Sequence, residues 1–117
     1  MMQGTAYVLV RSVVPNPNDH KAFNHWYETD HLPHLISIFP GIQHAWRFWS
    51  RVDPSVHYAF GQFADMNALR RATESDGFKV VLANYDRNWA EKGVTRTRDV
   101  IERVQHLIGV TRPPIGG

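Results

Sequence analysis

The chain contains no cysteine. That one absence removes disulfides, thiolate nucleophiles, thiol-ligated zinc and cysteine-held iron–sulfur clusters, and it leaves the compartment open, with the cytoplasm as the default expectation. Charge of one sign is also scarce: 13 Lys and Arg against 11 Asp and Glu leave a net +2 with neutral histidines. The pI of 9.2 is basic, but so small a surplus builds no phosphate-tracking surface, which argues against a nucleic-acid partner. Long apolar runs are missing too. The longest are broken by Pro or His and are too short to span a bilayer, so no membrane partner is expected. The opening MMQGTAYVLVRS has no basic stretch before its apolar run and reads as the start of a strand, not as a secretory signal. Glycine-rich phosphate loops, P-loop lysines and nucleophile-elbow serines are absent, and the PPIGG glycines cradle nothing.

What is present suits a folded domain. At 117 residues, 43% hydrophobic and 12% aromatic, the chain can bury a real core as a single domain. Gly4 to Val14 is rich in β-branched residues and predicts a first strand. The PNPNDH turn follows, with Asn18 or Asp19 as cap for a helix from about His20. Phe23, Tyr27, His31 and Ile38 fall on one side of that helix, Pro33 should kink or restart it, and Phe39-Pro40-Gly41 should end it. QHAWRFWSRV and SVHYAFGQF read as strands joined by a turn at Asp53-Pro54. Asp65 should cap a short helix over MNALRRA. A longer helix follows, with Phe78, Val81, Leu82, Tyr85 and Trp89 as its apolar stripe. TRTRDVIERVQHLIGV, ambiguous between helix and strand, is assigned to a last strand on Val100, Ile101 and Val104.

The order β-α-β-β-α-β predicts an α+β, ferredoxin-like sandwich: a four-stranded antiparallel sheet with both helices on one face. Residues 1–110 would form the single domain and 111–117 a flexible tail. The uncovered face would be aromatic or apolar whichever parity is chosen, a liability for a monomer, so homodimerisation through the open faces is expected.

Histidine is the abundant chemical residue: the stretch His20 to Leu35 holds four of the chain's seven. A metal site is conceivable, since His31 and His34 are one turn apart with Asp30 or Glu28 nearby. No HExxH-like motif or three-ligand set accompanies them, so no metal is expected. His20 and His25 point to different sides of the helix and read as surface. Acid–base chemistry is the stronger reading, because imidazole titrates near neutrality. His31, with Tyr27 one turn before it and His34 close by, forms the candidate catalytic group. Trp26 beside it reads first as packing. Arg47 and Trp49 share one strand face, and His57 joins them if the hairpin register allows. Arg11 has the parity of Tyr7 and Leu9. An arginine among aromatics at the end of an apolar pocket would anchor an anion or a carbonyl. Trp26, Arg47, Trp49, His57 and Arg11 are therefore the candidate substrate-binding residues. Which sheet face lines the pocket is open at this point.

Between Phe23 and Phe48 the chain resembles the first-helix signature of the dimeric α/β-barrel superfamily, in particular its EthD-like branch. There a WY…H.P element is followed by PG and an arginine-containing strand, matched here by Trp26, Tyr27, His31, Pro33, Pro40, Gly41 and Arg47. The resemblance implies a small, homodimeric and often cofactor-free protein whose two sheets meet as a barrel, with a pocket between each sheet and its helices. Superfamily activities include polyketide cyclisation, lactone isomerisation, cofactor-independent oxygenation, dehydration and haem breakdown. Tyr27 and His31 carry over by position as pocket-lining residues, while His25 and His34 fall outside the pattern.

Two functions follow as expectations. One is a cofactor-independent enzyme of cyclase, isomerase, dehydratase or oxygenase type. It would act on a small apolar, aromatic or polyketide-like molecule, with His31 shuttling a proton, Tyr27 donating or orienting, and Arg47 stabilising the oxyanion. The other is a non-catalytic ligand-binding or accessory dimer using the same pocket. No metal or organic cofactor is expected in either.

Overall fold

The computed structural model describes residues 4–109, and its main elements follow the expected order. Strand β1, Ala6–Val13, ends before Pro15 and Pro17. Asn16 then caps a 3₁₀ turn at Pro17–Asp19, its Oδ1 accepting from the Asn18 N–H at 3.0 Å. The cap thus falls earlier than Asn18 or Asp19. Asp19 precedes helix α1, His20–Trp26, without a side-chain capping bond.

The next turn departs from α geometry. Tyr27–His31 is a π turn in which the Leu32 N–H donates to the Tyr27 carbonyl five residues back, and α2, Leu32–Ile38, restores α spacing. Pro33 has no N–H for the carbonyl four residues earlier, and its ring crowds that turn. The kink expected at Pro33 is therefore absorbed by one widened turn rather than by a break. Gly41, at φ +78°, takes the left-handed conformation that reverses the chain after α2.

Strands β2, Ile42–Trp49, and β3, Val56–Phe63, form the expected hairpin. At its turn Asp53 Oδ1 accepts from the Ser55 N–H at 3.1 Å and the Ser55 hydroxyl at 2.7 Å. Asp65 caps α3, Met66–Thr73, by accepting from the Ala68 N–H at 2.8 Å, as the sequence predicts. Ser75 caps α4, Asp76–Trp89, which buries Phe78, Val81, Tyr85 and Trp89 on one side. Strand β4 covers only Thr95–Glu102, and residues 103–109 have no regular structure, so the alternation expected through His106 stops early. Position 110 and the tail expected at 111–117 lie outside the described residues.

The strands lie in the order β2-β3-β1-β4 with every neighbouring pair antiparallel. This is the ferredoxin-like α+β sandwich. Two buried clusters lie between the sheet and the helices. One gathers Phe39, Phe63, Leu69, Phe78 and Val81, and the other Phe23, Tyr27, Tyr85 and Trp89. Burying each such large apolar side chain contributes about 1.5–3 kcal/mol before entropy costs. The opposite face is uncovered, and there Tyr7, Trp46, Phe48, Phe60 and Ile101 line a shallow apolar groove.

Candidate functional site

Register decides which strand residues meet beneath the helices. On that face Trp49 pairs with His57, His57 with Ser12, and Ser12 with Arg96, making one row across the sheet. The next row is Arg47, Ala59, Val10 and Arg98, and the third is Ala45, Gly61, Val8 and Val100. Small residues thus sit side by side in the middle of the sheet, where a Cβ added to Gly61 would come within 3.3 Å of Ile42 and Val8. The two core clusters do not close over this spot, and a cavity of about 370 Å³ remains between them. Its floor is Val8, Val10, Ala45, Ala59 and Gly61. Its roof comes from Leu32 and Leu35 of α2 and from Phe78, Val81, Leu82 and Tyr85 of α4.

The π turn supplies its polar wall. Tyr27 and His31, both buried, line the cavity with ring centroids 4.7 Å apart, edge to face. His31 stacks on Trp26 at 4.4 Å, which fixes its ring plane. Its Nδ1 is buried without a hydrogen-bond partner, leaving Nε2 as the nitrogen a ligand can reach. Burial, with the nearby charges of His34 and Arg96, lowers the His31 pKa from the ordinary 6.5 to about 4. The side chain is therefore neutral at physiological pH, further from its titration point than an imidazole near neutrality would be. Burial drives the Tyr27 phenol upward, reinforced by Tyr85 and opposed by Arg47 and Arg96, so Tyr27 stays a protonated donor.

Behind this wall the aromatic packing is dense. Fully buried His57 lies 4.6 Å from Tyr27, 5.0 Å from Trp49 and 5.2 Å from Phe23, ring centroid to centroid. Neither of its nitrogens has a hydrogen-bond partner, and burial, with Arg47 and His31 nearby, lowers its pKa to about 3. Arg47 donates to the Asn24 carbonyl at 3.1 Å and to Asn24 Oδ1 at 2.7 Å, while the Trp49 indole N–H donates to the same Oδ1 at 3.0 Å. These bonds lock α1 onto β2. The Arg47 guanidinium also lies 5.4 Å from the centre of the Tyr27 ring.

The structure therefore brings Tyr27 and His31 together on the cavity but not the other candidates. Arg47, Trp49 and His57 face the helices and, with Trp26 of α1, form the layer behind Tyr27 and His31, and none of the four lines the cavity. An oxyanion role for Arg47 does not fit this placement, since its guanidinium is spent on Asn24. Arg11, paired with Tyr58 and Thr97, is exposed on the opposite sheet face, because its parity is that of Tyr7 and Leu9. His34 is half-buried and does not line the cavity, one widened turn past the inward face. Among the described residues no group of three His, Asp or Glu is placed to hold a metal ion.

Four contributors escape the sequence reading. Tyr85, part of the apolar stripe expected on α4, lines the cavity, and its hydroxyl hydrogen-bonds buried Ser12 Oγ at 2.6 Å. Arg96 pairs with Asp86 at 2.6 Å and lies 4.6 Å from the Tyr85 ring centre. Arg98 lies 4.8 Å from the Phe78 ring centre. The alternation in TRTR, placing both arginines on one face, was the available signal.

A sheet with helices on one face and a cavity under them defines the class: a ferredoxin-like sandwich with a small-molecule-sized pocket. Solved structures share that fold. An EthD family protein from Bacillus halodurans C-125 superimposes with a TM-score of 0.63 at 18% identity, over 84% of this chain and 99% of that one. SnoaB, a cofactor-independent oxygenase from Streptomyces nogalater, gives 0.61 at 18% identity, over 89% and 97%. HapK from Hahella chejuensis gives 0.64 at 10% identity, over 91% and 99%. At these identities the likeness is one of fold. No family model and no curated protein matches the sequence.

Proposed function

We propose that the protein is a cofactor-independent enzyme of the EthD-like branch, acting by proton transfer at His31 on a small, largely apolar, aromatic or polyketide-like substrate. One observation carries this reading: His31 and the Tyr27 phenol, which has no hydrogen-bond partner among the described residues, meet in the wall of an apolar cavity. The cavity lies within the usual size range of small-molecule sites, roughly 300–1,000 Å³. SnoaB, with the same fold, is a cofactor-independent oxygenase, which supports the same general class here.

The chemistry follows from the protonation states. Neutral His31 accepts a proton at Nε2 from a phenol, an enol or a carbon beside a carbonyl. The oxygen on which negative charge develops accepts a hydrogen bond from the Tyr27 hydroxyl. Imidazolium and substrate anion form a neutral pair, which the low-dielectric cavity tolerates better than either charge alone. The anion then closes a ring, isomerises, expels water or meets dioxygen. A non-catalytic binding dimer is the second reading, favoured by the displacement of His31 to about 4, which makes it a weak base.

The cavity is tested by filling it. Ala45 pairs with Gly61 and lines the floor, so Ala45→Leu should weaken binding of fused-ring phenols at least about tenfold, a loss of roughly 1.4 kcal/mol. Quenching of Trp fluorescence reports this, since Trp26 stacks on His31. Unchanged affinity in a folded Ala45→Leu protein would remove the cavity as the binding site. Turnover of any bound compound then separates enzyme from binding protein.

We also propose a homodimer formed through the open sheet faces. Trp46 is 40% and Phe48 50% exposed there, around the groove with Tyr7, Phe60 and Ile101. Removing apolar area from water favours association by about 25 cal/mol per Å² before entropy costs. Sedimentation at low micromolar concentration should find a species near twice 13.5 kDa, and Phe48→Glu should halve that mass. A folded wild-type monomer would exclude the dimer.

A further inference from the structure

We infer that the substrate carries an ionised carboxylate, held at the cavity mouth by Arg98; this rests on the pocket reading above and extends it to a substrate class. Three observations lead there. First, the cavity lining includes Arg96 and Arg98 but no aspartate or glutamate, so its fixed charge is of one sign. Second, the cations around the floor are unequally engaged. Arg47, at the far end of the row that crosses the floor through Ala59 and Val10, is tied to Asn24. Arg96 is paired with Asp86. Arg98, at the near end of that row, has no carboxylate within 4.0 Å among the described residues.

Third, Arg98 is the one exposed residue in the lining, so the cavity meets solvent beside it along the edge strand β4. Its guanidinium rests over the Phe78 ring, which orients a planar fork of donors at the mouth. A carboxylate matches that fork in a bidentate pair, while the attached rings lie inward over Val10, Ala59 and Gly61 toward Tyr27 and His31. The space is more than twice a cavity of about 150 Å³ that holds benzene, so two or three fused rings suit it.

The test is a pair of probes differing only in charge, naphthoate and its methyl ester, titrated by fluorescence and calorimetry into the wild type and variants. The wild type should bind the acid about tenfold more tightly than the ester. Arg98→Met, which keeps an unbranched chain over Phe78, should abolish that preference and leave the ester unchanged. Arg98→Lys should retain part of it. Arg11→Met, the same charge change on the opposite sheet face, should keep it in full. If acid and ester bind alike and both are weakened by Ala45→Leu, the carboxylate anchor is overturned while the pocket stands. Acid preference that persists in Arg98→Met overturns the anchor as well. If neither probe binds, the anchor falls together with the pocket reading.

Discussion

Replacing His31 with Gln should lower turnover on the order of 10²–10⁴-fold while leaving the fold intact. Glutamine keeps a polar group in the cavity wall but cannot take up a proton, so the loss isolates proton transfer from hydrogen bonding. The range corresponds to about 3–5 kcal/mol of transition-state stabilisation. The pH profile supplies a second reading of the same residue. The active form is neutral imidazole, and its pKa is depressed to about 4. The kcat/KM of the free enzyme should therefore be flat from pH 8 to about 5 and fall as pH drops through about 4. Measured with a substrate ester, which has no carboxylate to titrate in the same range, the His31→Gln protein should lack that limb. In kcat the limb should lie higher, because an anion in the cavity favours imidazolium. Tyr27→Phe removes one donor and should cost less, about 10²-fold, without moving the limb. Full turnover in folded His31→Gln protein would end the assignment of His31 as base.

Much of this site was legible in the chain, and the parts that were not have identifiable physical causes. Alternation marks strands reliably, and cap chemistry at Asp65 and the stripe on α4 placed two helices without tertiary information. Alternation cannot say which face of a sheet is covered when both carry aromatics. Trp46 and Phe48 were as suitable for a core as Trp49 and His57. The structure resolves the choice by the Asn24 bonds to Arg47 and Trp49, a contact between α1 and β2 that no local pattern encodes. For the same reason Arg11, plausible as an anchor by composition, faces away from the cavity.

The π turn was half legible. Pro33 signalled a disturbance, but whether a helix breaks or widens depends on what the widened turn can bury. Here it turns both Tyr27 and His31 inward against Trp26 and Tyr85. The cavity itself is an absence, and its signal was indirect. Ala45, Ala59 and Gly61 become neighbours only once β2 and β3 are in register. Arg98 gains its meaning in the same way, from a strand whose edge position makes it the boundary between cavity and solvent.

The histidine pair should also make the fold acid-sensitive in a calculable way. Unfolded, His31 and His57 titrate near 6.5; folded, they do so near 4 and near 3. Above pH 6.5 both are neutral in either state and stability is flat on their account. As pH falls below 6.5 the unfolded chain gains protons that the folded chain refuses, so stability falls, down to about 4 for His31 and about 3 for His57. Each group contributes about 1.4 kcal/mol per pH unit within that window. From pH 7.5 to 5.5 the pair should thus cost about 2.7 kcal/mol, a fall in Tm on the order of 10 °C. Asp53, held below its ordinary 3.8 mainly by Ser55, adds its own loss only under more acidic conditions. His57→Phe divides the two contributions. It removes two buried nitrogens without partners while keeping an aromatic ring against Phe23, Tyr27 and Trp49. Stability at pH 7.5 should rise by about 1 kcal/mol, since an unsatisfied buried polar group costs about 1–3 kcal/mol, and the acid slope should halve. Urea unfolding at pH 7.5, 6.5 and 5.5 measures both. A destabilised His57→Phe protein with the original slope would mean that His57 is not held neutral by burial, and the acid sensitivity would then rest on other groups.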